Sequence, residues 1–88
     1  MKIKSGYALK TVSGQSVVVS NSADAPLEKD IVLNETATFL WEQIENGVSS
    51  KEQLFHLLLN KFDISTVLAL SDIDTFLKIM RENGILEL

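Results

Sequence analysis

The spacing of apolar positions along this chain changes near residue 34. Before it they alternate or fall in short β-branched runs, and after it they recur every three to four residues. Tyr7-Ala8-Leu9-Lys10-Thr11-Val12 alternates loosely, Ser13-Gly14 interrupts, and Gln15-Ser16-Val17-Val18-Val19-Ser20 follows. Two such runs around a Ser-Gly pair predict a β-hairpin. Asn21 to Lys29 is polar, holds the single proline, Pro26, and reads as a loop. Asp30-Ile31-Val32-Leu33 then forms a short third strand that passes into a helix with almost no linker.

That first helix is expected from about Glu35 to Asn46. Ala37, Leu40, Trp41 and Ile44 follow the i, i+3, i+4, i+7 spacing of a buried face, and Gly47 suits the left-handed stop. Trp41 falls on this stripe and is assigned to the core. Phe39 points roughly opposite, so the helix should meet apolar neighbours on two sides. Ser49-Ser50-Lys51-Glu52 offers a Ser-x-x-Glu capping box for a second helix with the face Leu54, Phe55, Leu58 and Phe62, ending near Lys61. Ser65 is the expected cap of a third helix from about Thr66 to Asn83, stopped by Gly84. Ala69, Ile73, Phe76, Leu77 and Met80 share one of its faces, and Ile85 to Leu88 form an extended end. Strands that short need the helices to pack against, which makes the fold class α+β, with three antiparallel strands preceding a three-helix bundle.

Composition narrows the partners. Eighty-eight residues, 45% hydrophobic and 23% charged, suit one globular domain over residues 1–88. No apolar run approaches the ~20 residues of a membrane helix, and the N-terminus lacks the apolar stretch of a signal peptide. A cytoplasmic location is the default expectation. The net charge is −4 and the eight Lys and Arg residues are scattered, whereas nucleic-acid affinity relies on clustered cations. Nucleic acid is therefore disfavoured as a partner.

Catalytic chemistry finds little to work with. The chain has no cysteine, which removes disulfides, thiolate nucleophiles and thiolate metal sites. His56, the single histidine, faces away from Leu58 and Phe62 and reads as a surface residue rather than a ligand. Asp72 and Asp74 project about 200° apart on a helix, too divergent to share a metal or proton. Asp72 belongs at the rim of the buried face and Asp74 in water. The four glycines stand singly at turns and caps, so none cradles a phosphate. No cofactor is expected and the chain reads as a non-enzyme. A small sheet beside three helices also suggests a winged helix-turn-helix, but Asp72, Asp74 and Glu82 outweigh Lys78 and Arg81 on the would-be reading helix.

The segments IVLNETATFLWEQIENG, GYALKTVSGQSVVV and SDIDTFLKIMRENGILEL together resemble the PqqD-like proteins. The resemblance runs from about Gly6 to Leu88, and rests most on Leu33-Asn34 with Trp41, joined to Asp72-Ile73, Phe76-Leu77 and Gly84-Ile85. It implies a winged helix-turn-helix-like domain that recognises the leader of a ribosomally made, post-translationally modified peptide. The leader would add as a strand beside the third strand and rest on the third helix. The partners implied are that precursor peptide and a maturation enzyme, often a radical S-adenosylmethionine protein.

Carried onto this chain, the edge strand is Asp30, Ile31, Val32 and Leu33, with Ile31 and Leu33 on one face and Val32 on the other. An edge strand leaves N–H and C=O groups free for an extended peptide. Leu68, Asp72, Thr75 and Ile79 line one flank of the third helix, with Phe76 beside them. The family usually places polar residues where Val67, Leu68 and Ile79 stand. Ile79 reads either as a groove contact or as an isolated exposed aliphatic. Ile73, Leu77 and Met80 read as core. The alternatives to peptide capture are a winged-helix DNA-binding regulator and a structural subunit of an enzyme complex. A homodimer through strand addition is a further option.

Overall fold

A computed structural model describes residues 1–87; Leu88, at the end of the expected extended tail, lies outside the described residues. The elements run β1 (Lys2–Ile3), β2 (Tyr7–Val12), β3 (Gln15–Ser20), β4 (Ile31–Leu33), α1 (Glu35–Glu45), α2 (Lys51–Lys61), α3 (Thr66–Glu82) and β5 (Leu86–Glu87). Strands β2, β3 and β4 form an antiparallel sheet in that order, so β4 has β3 on one side and an open edge on the other. The expected order of three strands and three helices stands.

The hairpin forms where the sequence placed it. Ser13 and Gly14 both have positive φ, at 51° and 79°, as a two-residue type I′ turn requires. This turn fixes the register from Val12 opposite Gln15 to Tyr7 opposite Ser20. Leu9, Val18 and Ile31 thereby line up on the face turned to the helices, with Val18 fully buried.

Strand β1 was not apparent from the local pattern. Its two residues pair with β5, Lys2 opposite Glu87 and Ile3 opposite Leu86. The Lys4 N–H donates to the Ile85 carbonyl at 2.8 Å. Only a partner at the far end of the chain defines so short a strand, and no window of neighbouring residues contains that information.

The helices follow their apolar periods. Leu40, Trp41 and Ile44 of α1, Leu54 and Leu58 of α2, and Ala69, Ile73, Phe76, Leu77 and Met80 of α3 are buried in one cluster with Val18, Leu33, Ile85 and Leu86. Ala37 and Phe55, expected in the same stripes, are half-buried at its border. Phe39 finds its second apolar neighbour in Phe62, an edge-to-face contact with ring centroids 5.6 Å apart. Trp41 is fully buried, and its Nε1 has no hydrogen-bond partner among the described residues.

The capping box is displaced by one residue. Ser50, not Ser49, caps α2, accepting the Gln53 N–H at 3.1 Å. Leu54 and Leu58 are the buried residues of this helix. Ser65 caps α3 as expected, accepting the Leu68 N–H at 3.1 Å. Phe62 belongs to the C-cap of α2 rather than to its body.

The loop between β3 and β4 is folded back on the start of β2. Tyr7 Oη donates to the Pro26 carbonyl at 2.9 Å, the Ser20 hydroxyl donates to the Ala25 carbonyl, and Ala25 is buried. The close approach depends on Gly6, whose φ is +96°; a Cβ there would stand 2.5 Å from the Ala25 Cβ. Gly14, by contrast, faces open space. Gly6→Ala is expected to destabilise the fold by about 1–3 kcal/mol and Gly14→Ala by about 1 kcal/mol. Urea denaturation of the two variants against the parent chain checks the ordering.

Candidate functional site

The corner between β4 and α1 is built by two adjacent residues. Leu33 is buried in the core, contributing about 1.5–3 kcal/mol on the scale of a leucine side chain. Asn34 has extended backbone and caps α1: its Oδ1 accepts the Ala37 N–H at 2.9 Å and the Thr36 hydroxyl at 3.0 Å. The Asn34 carbonyl accepts both the Thr38 N–H, at 2.9 Å, and the Thr38 hydroxyl, at 2.8 Å. The strand therefore ends where its last side chain enters the core and its next residue is committed to the helix.

Ladder parity determines which backbone groups of β4 are free. Antiparallel pairs alternate between residues that exchange hydrogen bonds and residues that do not. The pair flanking a two-residue turn exchanges them, so Gln15, Val17 and Val19 bond toward β2. Ser16 and Val18 then bond toward β4, to Leu33 and Ile31. Val32 is left with its N–H and C=O directed away from β3, along the open edge. Its side chain lies on the outer face of the sheet and is 58% exposed.

Beside that edge lies an open cleft of about 490 Å³ of non-atom space, part of it solvent. Ile31, Val32 and Leu33 form one wall, Asn34, Thr36 and Ala37 the end at α1, and Asp72, Thr75, Phe76, Ile79 and Met80 the wall of α3. The cleft thus brings together seven of the nine residues singled out from the sequence. Asp30 stands one residue ahead of β4 and lines an adjoining hollow with Glu28, Lys29, Ile31, Val32 and Asn83. Leu68 lies outside the cleft lining, on the first turn of α3, and is exposed.

Asn34, Thr36, Ala37 and Met80 line the cleft without having been assigned to it. Met80 belongs to the core stripe and also reaches the cleft wall. The other three cap or begin α1, and Ala37 leaves room there because its side chain is small. The lone prior signal was the absence of a linker between Leu33 and the helix.

The charged groups sort by face. Asp72 is half-buried in the cleft wall, while Asp74 is exposed and meets Lys51 Nζ of α2 at 2.5 Å. His56 is exposed on α2, 3.9 Å from Glu52. Among the described residues no three His, Cys, Asp or Glu side chains gather in a metal-binding group, and no helix is long and apolar enough to cross a membrane.

The sheet, the three helices and the edge cleft define a winged helix-turn-helix-like α+β protein. The family model for coenzyme PQQ synthesis protein D, PqqD, matches residues 24–86, and the chain belongs to that family. A solved structure of TbiB1 in complex with the TbiA(beta) leader peptide aligns with 99% of this chain and 95% of its own, with a TM-score of 0.76 and 16% identity. At that identity the likeness is one of fold. A search of curated proteins finds no match.

Asn34→Ala removes the acceptor at the head of α1 and is expected to lower stability by about 1 kcal/mol, within a range of 0.5–2. Asn34→Asp keeps an acceptor facing the helix dipole and should stay close to the parent. Chemical denaturation curves of the two variants check this.

Proposed function

We propose that this chain is a non-catalytic recognition domain, spanning residues 1–88, that captures the leader of a ribosomal precursor peptide and presents it to a maturation enzyme. The observation that carries the reading is the Val32 edge: a backbone donor and acceptor facing outward over an apolar cleft backed by α3. Membership of the PqqD family and a fold shared with a leader-bound protein support the same reading.

An extended peptide laid along β4 would exchange two hydrogen bonds with Val32. Its residue opposite Val32 would turn to the outer face, and the two flanking residues would turn inward toward Leu33, Phe76 and Ile79. Asp30, two residues before Val32, has the same ladder parity and extends the contact toward Asn83. Leu68 offers an apolar surface to a peptide that continues past Asn34. Main-chain pairing gives affinity with little sequence demand, and the inward side chains give selectivity. The enzyme receiving the peptide belongs to the modifying class that the family serves, often a radical S-adenosylmethionine protein, and the chain itself needs no cofactor for this role.

Val32→Pro tests the docking mode cleanly. The Val32 N–H makes no bond to β3, so its loss leaves the sheet intact, and proline is tolerated at such edge positions. Titration of the isotopically labelled protein with the leader from a neighbouring short reading frame should shift the amides of residues 30–33 and of Leu68 to Ile79. The proline variant, folded as judged by its spectrum, should bind about five- to tenfold more weakly, the scale of one hydrogen bond. Unchanged affinity in the folded variant would eliminate strand addition at β4.

A further inference from the structure

Asp72 is the one charged side chain in the lining of the cleft. Its carboxylate has no hydrogen bond or ion pair with any described residue, and Asp74, two positions on, is the carboxylate that Lys51 takes. Neither the turn of α3 before Asp72 nor the turn after it brings a cation within helical reach, since Leu68, Ala69, Thr75 and Phe76 occupy the i±3 and i±4 positions. Lys78 and Arg81 project from other sides of the helix. Opposite stand Leu33, Asn34, Thr36 and Ala37, again without positive charge. An unpaired carboxylate on an apolar wall is open to a charge-assisted hydrogen bond from an incoming cation.

The place of Asp72 along the cleft follows from the direction of its two walls. Asn83, the C-cap of α3, lies with Asp30 and Ile31, so the strand and helix run in opposite directions, and Asp72 faces the Asn34 end of the cleft. Ile79, two helical turns later, faces the Ile31 end. Inward side chains of an added strand fall every second residue, about 6.7 Å apart. One of them therefore reaches Asp72 while another, two or four residues away, lies against Ile79.

We propose that the cleft is selective for an extended peptide carrying a lysine or arginine at the inward position beside Asp72, with an aliphatic inward residue at the Ile79 end. This deepens the peptide-binding reading and rests on it. A glutamate at the same position would face Asp72 at close range and be rejected, so the one side chain supplies attraction and exclusion together.

The test is a randomised twelve-residue peptide library displayed on phage and selected on the immobilised full chain, on Asp72→Asn, and on Asp24→Asn as a distant loop control. The parent and the Asp24→Asn chain should both enrich Lys or Arg about tenfold at one position fixed relative to alternating aliphatic residues, the ratio that ~1.4 kcal/mol provides. Asp72→Asn should keep the aliphatic alternation and lose the basic preference to within about twofold, since a neutral amide retains only uncharged hydrogen bonding. Aliphatic alternation on the parent chain without a basic position, or a basic preference that survives in Asp72→Asn, would overturn the inference and leave peptide binding standing. No enrichment on the parent chain would overturn both.

Discussion

Which backbone groups of the candidate site are free depends on the parity of the hydrogen-bond ladder set at Ser13-Gly14. A two-residue turn obliges Val12 and Gln15 to bond to each other, and from there each residue of β3 is assigned alternately to β2 or to β4. A slip of one position would exchange the free and occupied groups of β4 and bring Val17 to the core face in place of Val18. Burial resists that slip, because Val18 and Leu33 must both reach the helices. The turn and the core thus select the same register independently, and a three-residue strand has a defined outward donor and acceptor as a result.

The helical half was largely legible because its periods are local and strong. The five apolar positions of α3, its Ser65 cap and the hairpin turn were readable within windows shorter than twenty residues. What escaped was non-local or degenerate. Strand β1 exists through Leu86 and Glu87, far along the chain. Ser49 and Ser50 are equally good caps in isolation, and the backbone path between α1 and α2 decides between them. In the cleft, the flank of α3 could be drawn on a helical wheel, whereas the contribution of Asn34, Thr36 and Ala37 depends on the angle at which α1 leaves β4. Leu68 shares the α3 flank yet lies beyond the cleft lining, since a wheel shows angle and omits distance along the axis.

The two open edges of the β2–β3–β4 sheet are protected differently. Strand β2 is six residues long and carries Lys10 near its middle, the kind of charge that discourages edge-to-edge pairing. Strand β4 carries no charge within its three residues and is limited by brevity alone: the Asn34 carbonyl is already taken by Thr38, so pairing in that direction stops at Val32. The edge beside the cleft is the less guarded of the two. Asp72, the one charged residue of the cleft lining, stands on the wall behind it.

The buried indole of Trp41 has an optical consequence. It is the single tryptophan of the chain, fully enclosed in apolar surroundings, and it does not line the cleft. Its emission belongs at the blue end of the tryptophan range and responds to loss of the core. The chain therefore carries an intrinsic gauge of integrity: a variant that has kept its fold can be told from one that has lost it by a single fluorescence spectrum.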